Sequence, residues 1–283
     1  MHAFIPLIRL GCALAVATLL ATASGCGATQ ERSIVVASTT STQDSGFFDY
    51  LLPLVKERTG ITVKVVAQGT GQALDTGRRG DADVVFVHAK AAEIAFVAQG
   101  ESAKRYPVMY NDFVLIGPAD DPAHIAGQRN VLQAFQAIQE HAATFISRGD
   151  RSGTNIAELA LWLAAGVDIE HQKGSWYKSI GQGMGAALNT ASASDAYTLS
   201  DRATWIHFAN KGPLKILVQG DARLFNQYGV MLVNPEKHPN VKRELGQAFI
   251  DYLVSPSGQQ DIAGYRIDGQ QLFFPNANDR NAL

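Results

Sequence analysis

Short apolar runs alternate with helical patterns between residues 33 and 100, and this alternation restricts the possible folds more than any other feature of the chain. The runs SIVVAS (33–38), ITVKVVA (61–67) and ADVVFV (82–87) are rich in β-branched residues and predict buried strands. Apolar residues at helical spacing follow each run. Because strand–helix–strand units pack as a parallel sheet covered by helices, with right-handed crossovers, the pattern predicts an α/β fold.

The rest of the chain continues the same alternation. We expect strands at 111–118, 144–147, 214–218 and 228–235, and helices at 131–141, 155–166, 241–256 and 257–265. Hydrophobic residues make up 46% and charged residues 18% of the 283 residues, a globular composition with enough apolar residues for two lobes. The pattern thus predicts a mainly parallel sheet flanked by helices.

The domain organisation follows from where the alternation is interrupted. A polar stretch with Pro and Gly, ADDPAHIAG, follows the strand at 111–118 and is a candidate crossing between lobes. The polar segment DAYTLSDRATW (195–205) is either structural or a closing segment or hinge near the ligand. We interpret the segments as the first part of lobe I, lobe II and a return to lobe I, at 33–116, 117–225 and 226–283.

The N-terminal 25 residues have the pattern of a secretory signal that is removed. Arg9 precedes the apolar run LGCALAVATLLATASG. The following motif, ASGC at 23–26, resembles a bacterial lipobox, in which Cys26 becomes a lipidated first residue and anchors the protein to a membrane. Ordinary signal cleavage near the same place is the alternative. The other cysteine, Cys12, lies within the signal, so we expect neither a disulfide nor a cysteine-ligated metal in the mature chain.

Three loops share an unusual composition at the points where a strand is followed by a helix. They read ASTTSTQDSG (37–46), AQGTGQAL (67–74) and SRGDRSGT (147–154). A helix N-terminus offers unpaired backbone N–H groups, Gly allows close backbone approach, and Ser and Thr hydroxyls can donate to oxygen atoms. Because the carboxyl ends of neighbouring strands lie at one edge of a sheet, the three loops predict a common anion site.

Arg148 would supply the positive charge of this site, with a planar fork that can contact two oxygens. Two alternatives stay open. The Ser and Thr residues are also preferred helix caps and need no ligand for that role. Arg148 could form a structural ion pair with Asp150 or Asp44 instead of contacting an anion.

Several functional classes are disfavoured. A formal net charge of −2 and the lack of a long basic run argue against nucleic acid as a partner. The seven histidines show no metal-binding spacing, and the motifs of serine hydrolases, zinc proteases and P-loop proteins do not occur. GQGMGA (181–186) fits a dinucleotide-binding pattern, but no clear buried strand precedes it. We therefore expect no cofactor and no bound metal cation.

A resemblance adds to this interpretation. The loop sequences above, together with further segments in the same order along nearly all of 33–275, resemble the tungstate-binding proteins of ABC transporters, which are type II periplasmic binding proteins. The further segments are QDSGFFDYLLPLVKERTGI, GRRGDADVVFVHA, VMYNDFVLIGPADDPAHI, GMG, AYTLSDRATW and QLFFP. Two departures are Ser38, where the family often has Thr, and VHAK (87–90), where it has a VHDP-like stretch.

The resemblance implies a fold of two α/β lobes, each a mainly parallel sheet flanked by helices, with the ligand cleft between the lobes. It also implies a role in import and a set of ligand-binding residues. The protein would capture a tetrahedral oxyanion, most simply tungstate, outside the cytoplasm as a monomer, and deliver it to a membrane permease without catalysing a reaction. Molybdate or phosphate binding, or an enzyme acting on a phosphate or carboxylate ester, are the alternatives. The implied ligand-binding residues are Thr39, Thr70, Arg148, Ser152, Gly153 and Thr154.

The chemistry of the loops bears on the choice of ligand. Asp150 is the acid beside Arg148 that could accept a proton from hydrogen phosphate or act in catalysis. If Asp150 faces away, the loops offer only donors, which suit a fully deprotonated oxyanion such as tungstate, molybdate or sulfate. This argument does not separate tungstate from molybdate.

Overall fold

A computed structural model describes Met1 and residues 32–279, which form twelve strands and eleven α-helices in that part of the chain. The strands are β1 Ser33–Thr39, β2 Thr62–Gln68, β3 Val84–Val87, β4 Tyr106–Pro118, β5 Phe145–Ser147, β6 Tyr177–Ser179, β7 Thr198–Asp201, β8 Leu214–Val218, β9 Phe225–Leu232, β10 Arg266–Ile267, β11 Gln270–Gln271 and β12 Phe274–Pro275. The helices are α1 Thr40–Asp44, α2 Phe47–Thr59, α3 Thr70–Arg78, α4 Lys90–Ala98, α5 Val131–Glu140, α6 Gly153–Ala164, α7 Ile169–Gln172, α8 Met184–Ala193, α9 Arg202–His207, α10 Arg243–Val254 and α11 Pro256–Gly264.

The first three strands form the parallel unit that the sequence predicts. Strand β1 lies between β2 and β3 and runs parallel to both, with Val36 opposite Val65 and Val84. Helices α2, α3 and α4 follow these strands in the chain, as expected. Both faces of β1 are largely buried, because helices cover the sheet on either side. The α/β fold class is therefore confirmed.

Strands β4 and β9 make the sheet mixed rather than mainly parallel. Strand β9 runs antiparallel to both β3 and β4, and β4 is also antiparallel to β7, β8 and β12. Parallel pairing between strands occurs in the described chain between β1 and β2, β1 and β3, and β5 and β6. The physical reason is that β4 leaves the first sheet region and β9 returns to it, so the two strands run in opposite directions.

Strand β4 takes part in two core regions. Its residues Tyr106–Asp112 pair with β9, whereas Phe113–Ile116 pair with β7 and Leu115–Pro118 with β8. We call the apolar clusters around β1, β3 and β9 the first core region, and those around β5, β7 and β8 the second core region. The long strand thus connects them, while Asp112 lies opposite Phe225 at the start of the returning strand.

Each core region has apolar packing on both faces of its sheet. In the first, Val84 and Phe86 point into one cluster and Val85 and Val87 into another, as expected for the two-residue period of a strand. In the second, Phe113 and Leu115 alternate in the same way with Val114 and Ile116. The sequence boundaries of lobes I and II stay predictions.

The described residues contain no helix that is both long and apolar enough to cross a membrane. The predicted signal (1–25) and Cys26 lie outside the described residues.

Candidate functional site

The three predicted loops meet at one place. Gly153 N–H, at the start of α6, donates to Thr70 Oγ1 at the start of α3 over 2.7 Å. Arg148 Nη2 donates to Thr40 Oγ1, in α1, over 3.0 Å. The site therefore combines loops from both core regions, as the positions of the loops after their strands predict.

Arg148 is the central charge of the site. It is 2% exposed and directly follows the short strand β5, and its Nη2 donates to Asp150 Oδ2 over 2.6 Å. Its Nε and Nη1 atoms are buried and have no hydrogen-bond partner within residues 32–279. The ion pair with Asp150 that the sequence left open is formed, yet two donors of the guanidinium are not used by it.

Asp150 directs both carboxylate oxygens into its own loop. Oδ2 accepts from Arg148, and Oδ1 accepts from Ser152 N–H over 3.1 Å. The loop reverses direction through the left-handed backbone of Gly149 (φ +62°) and Arg151 (φ +58°). The carboxylate therefore orients Arg148 and the start of α6.

The first turn of α6 contains three of the predicted residues. The Ser152 side chain caps the helix by accepting from Asn155 N–H over 3.2 Å, which leaves its own proton available. Gly153 packs against His88, because a Cβ at position 153 would lie 2.9 Å from the ring carbon Cε1. Thr154 Oγ1 is buried and has no partner. These observations place a free hydroxyl on the same loop as the free Arg148 donors.

The hydroxyls of the first loop are bonded mainly to each other. Thr39 caps α1, and its Oγ1 lies 3.3 Å from Thr42 N, 2.7 Å from Thr42 Oγ1 and 3.1 Å from Ser41 Oγ. Ser41 Oγ also lies 2.9 Å from His88 Nε2. Local capping, the alternative left open by the sequence, thus accounts for the hydrogen bonds of Thr39.

The second loop approaches the third very closely. A Cβ at Gly69 would lie 2.9 Å from the Asp150 carbonyl oxygen, so glycine permits the contact between their backbones. Thr70, buried at the first position of α3, accepts from Gly153 N–H and keeps its own hydroxyl proton. A cleft of about 460 Å³ opens beside these loops and is lined by residues of all three.

Asp201 and Tyr228 are polar groups of the site that sequence reasoning did not single out. Asp201 Oδ2 and Tyr228 Oη are both buried without a hydrogen-bond partner. Burial raises the pKa of Asp201 to about 6, although hydrogen bonds from Thr204 and the charge of Arg148 act in the opposite direction. Asp201 lies in the polar segment 195–205, which was the available sequence signal, whereas Tyr228 looked like an ordinary strand residue.

His88 is another buried polar residue beside the loops. Its ring stacks on Tyr228 with 4.7 Å between ring centroids, and burial lowers the pKa of His88 to about 4. The imidazole is therefore neutral at pH 7. Within residues 32–279, no group of three or more His, Cys, Asp or Glu side chains could hold a metal ion.

Comparison with known proteins identifies the family of this chain. The chain matches the PBP superfamily domain model over residues 22–257. It therefore belongs to the periplasmic binding protein superfamily and, at a finer level, to the type II tungstate-binding proteins of ABC transporters. The sequence-based resemblance is confirmed.

Three relatives carry this assignment. The tungstate-binding protein TupA of Peptoclostridium acidaminophilum is 48% identical over 249 residues, covering 87% of this chain and 86% of the relative. The crystal structure of the tungstate ABC transporter from Geobacter sulfurreducens shows 49% identity and a TM-score of 0.76, covering 83% of this chain and 99% of that one. The tungstate-binding protein from Desulfovibrio alaskensis shows 43% identity and a TM-score of 0.73, with 86% and 98% covered.

Proposed function

We propose that this protein is the extracytoplasmic component of an ABC importer and captures a tetrahedral oxyanion, tungstate, for delivery to a membrane permease. The observation that carries the proposal is the buried Arg148 guanidinium, whose Nε and Nη1 have no hydrogen-bond partner among the described residues. Relatives named as tungstate-binding proteins support the choice of ligand.

The energetics of Arg148 favour an anionic ligand. A buried polar atom without a partner is costly, and more so when it carries charge. Asp150 neutralises one unit of charge but engages only one side of the guanidinium. A dianion that accepts from Nε and Nη1 would satisfy both donors through charge-assisted hydrogen bonds. The free hydroxyl of Thr154 would add a neutral donor.

The hydrogen bonds of Asp150 bear on selectivity. Each of its oxygens already accepts one hydrogen bond within its own loop, so only part of its acceptor capacity is left for a protonated ligand. Hydrogen phosphate carries a P–OH group that needs an acceptor, whereas tungstate at pH 7 does not. Asp201 Oδ2 is the remaining candidate acceptor near the Arg148 charge. We therefore propose that the site discriminates against phosphate.

Calorimetric titration at pH 7 with tungstate, molybdate, sulfate and phosphate tests the proposal. Tungstate should bind with micromolar affinity or tighter, and phosphate about a hundredfold more weakly. Equal affinity for phosphate and tungstate would contradict the donor-only site. The Asp201→Asn variant would then show whether Asp201 is the acceptor, since only loss of phosphate binding in that variant supports such a role.

Molybdate binding and catalysis are the other hypotheses. Molybdate resembles tungstate in charge and geometry, so the donors of the site could bind either ion. The titration compares the two affinities. The enzymatic hypothesis is disfavoured, because close relatives are binding components of transporters and Asp150 is held by Arg148 and Ser152.

The location outside the cytoplasm follows from membership of a family of periplasmic binding components. We further propose that Cys26 carries a lipid anchor and that the protein works as a monomer with two lobes that close on the ligand by a hinge motion. Cys26→Ser should release the protein from membranes, and intact mass measurement should detect lipid only on the wild type. Membrane association of the variant, or an unmodified wild-type Cys26, would contradict the anchor.

A further inference from the structure

A closed ring of hydrogen bonds lies beneath the first loop. In order around the ring, its members are Ser41, His88, Asn226, Asn111, Asp201 and Thr204. Each of these residues is at most 4% exposed. They come from α1, the end of β3, β9, β4, β7 and α9, and therefore from both core regions. In the described part of the chain, the hydrogen bonds of the ring do not involve Arg148 or Thr154.

The direction of each hydrogen bond in the ring can be assigned by starting from Asp201. Asp201 Oδ1 accepts from Thr204 N–H over 2.9 Å and is therefore an acceptor whether or not the carboxyl is ionised. Asn111 must then present its Nδ2 to Asp201, at 3.4 Å, and its Oδ1 to Asn226. Asn226 Nδ2 donates to that oxygen over 2.6 Å, which leaves Asn226 Oδ1 facing His88 Nδ1 at 3.0 Å.

This order fixes the tautomer of His88. Since Asn226 Oδ1 can only accept, His88 Nδ1 carries the proton. A neutral imidazole has one N–H, so Nε2 is an acceptor. Ser41 Oγ, 2.9 Å away, must therefore donate to Nε2. Ser41 consequently cannot donate this proton to an anion and can only accept from neighbouring hydroxyls such as that of Thr39, 3.1 Å away.

The ring closes through α9. Thr204 Oγ1 donates to the Ser41 carbonyl oxygen over 3.0 Å, and Thr204 N donates to Asp201. Ser41 is thus held by its side chain through His88 and by its backbone through Thr204. Asn111 and Asn226 lie opposite each other on β4 and β9, the strands that connect the core regions. The conformation of the first loop is therefore coupled to these strands.

We infer that His88 is a positioning residue of the anion site. Held as the Nδ1–H tautomer, it fixes the direction of the Ser41 hydroxyl and ties the first loop to strands β4 and β9. The tautomer follows from the ring together with the neutral charge of the buried imidazole, whereas the effect on affinity rests on the proposed function. Neither VHAK nor any other motif of the sequence predicts the ring, because its members are distant in the chain.

Nitrogen NMR of histidine-labelled wild-type protein tests the tautomer without a ligand. Long-range proton–nitrogen spectra at pH 7 should show a protonated Nδ1 and a bare Nε2 for His88. The signal is assigned by its loss in His88→Gln. A protonated Nε2, or a His88 that is doubly protonated at neutral pH, would overturn the inference.

Two variants separate the contacts of the ring nitrogens. His88→Asn places an amide near Nδ1 and can still donate to Asn226, but it removes the acceptor of Ser41. His88→Gln places its amide near Nε2 and can still accept from Ser41. We expect His88→Gln to bind tungstate within about fivefold of wild type and His88→Asn at least about tenfold more weakly at a similar melting temperature. The opposite order, or equal losses, would overturn the positioning role.

A double substitution completes the test. Ser41→Ala should weaken binding on its own but add little to His88→Asn, because both remove the same hydrogen bond. Additive losses would contradict the coupling of these side chains. If wild-type protein shows the expected tautomer but does not bind tungstate, the proposed ligand is wrong and the ring geometry stands. If it binds tungstate with the other tautomer, the positioning role is wrong and the proposed function stands.

Discussion

The first loop (37–46) and the third loop (147–154) look alike in sequence, since both combine Ser and Thr with the start of a helix, but their hydrogen bonds differ. In the first, Thr39, Ser41 and Thr42 bond to one another and to His88. In the third, Arg148 and Thr154 have buried donors that form no hydrogen bond within the part of the chain that the structure describes. The hydroxyls of the first loop are therefore held by hydrogen bonds within the protein, whereas the third loop has charged and neutral donors that a ligand could use.

The difference shows that composition alone does not identify the residues that bind an anion. A hydroxyl that caps a helix and a hydroxyl that faces a ligand are the same residue type in the sequence. They differ in whether their bonding capacity is already satisfied, which depends on neighbours distant in the chain. Substitutions that remove a free donor of the third loop should consequently change affinity directly. Those in the first loop should change stability, or affinity only through the positioning of the loop.

Among the substitutions that test the difference between the two loops, Arg148→Ala should have the largest effect on tungstate affinity. Losing the buried charge should weaken tungstate binding by about 2–5 kcal/mol, the range for truncating one partner of a buried charged pair. The fold should survive, because water can enter the emptied cleft. Titration alongside a thermal melt measures both quantities. Arg151→Asn, which removes an exposed positive charge from the same loop, is the control and should bind nearly normally. If Arg148→Ala bound tungstate as tightly as wild type, Arg148 would not be a ligand-binding residue.

Glu158 beneath the third loop should give the next effect, on stability. This buried carboxylate accepts from Ser147, Trp162, Tyr177 and Asn155, and burial raises the pKa of Glu158 to about 7 despite these donors. A raised acid pKa means that the folded state holds a proton that the unfolded state has released. The contribution of Glu158 to stability therefore falls as pH rises from the unfolded pKa of 4.5 to about 7.

Glu158→Gln removes this titration. The unfolding free energy of wild type relative to the variant should decrease by about 2 kcal/mol between about pH 5 and pH 8. Urea unfolding at several pH values measures the difference, and Glu140→Gln, at an exposed position, corrects for loss of a charge. Parallel curves for wild type and Glu158→Gln would show that Glu158 titrates alike in the folded and unfolded states.

Thr154→Val tests the free hydroxyl of the third loop. The substitution keeps the shape and removes a donor that has no protein partner, so tungstate binding should weaken by about 1–2 kcal/mol. The melting temperature should stay the same or rise, because no hydrogen bond within the protein is lost. A fall in melting temperature without a change in affinity would place Thr154 among the structural hydroxyls.

Thr39→Val should show the reverse pattern and the smallest effect. It removes the cap of α1 and should lower stability by about 1 kcal/mol. Affinity should change less than in Thr154→Val, since Thr39 Oγ1 already bonds to Ser41 and Thr42. A larger loss of affinity than in Thr154→Val would restore Thr39 to the ligand-binding residues predicted from the sequence.

The sequence predicts much of the fold because local patterns carry it. Strands β1, β2 and β3 and the helices after them have clear two-residue or helical periods. Helix α8 was missed, although Met184, Ala187, Leu188 and Ala191 have helical spacing and are buried. The many small residues around them, in GQGMGAALNTASAS, dilute the apolar pattern. The antiparallel course of β4 and β9 depends on chain topology, which periodicity does not record.

The candidate site could be predicted only in part. Its three loops have local signatures, and the structure brings Thr70, Arg148 and Gly153 together. The neighbours that decide which donors are free, such as His88 and Asp201, lie on other strands and have no local signature. Physical separation along the chain, rather than weak chemistry, is why they were missed. The role of each residue in binding stays a prediction.

The paired strands β4 and β9, which connect the two core regions, have a mechanical consequence. Strand β4 leaves the first region at Asp112, and β9 re-enters it at Phe225, directly opposite. The connection is therefore a two-stranded ribbon rather than a pair of loose loops. Backbone hydrogen bonds across such a ribbon oppose sliding of one strand along the other, whereas strand twist varies readily. Relative motion of the two regions is thus easiest as torsion about the ribbon, so ligand capture would reach a docked partner as a rotation.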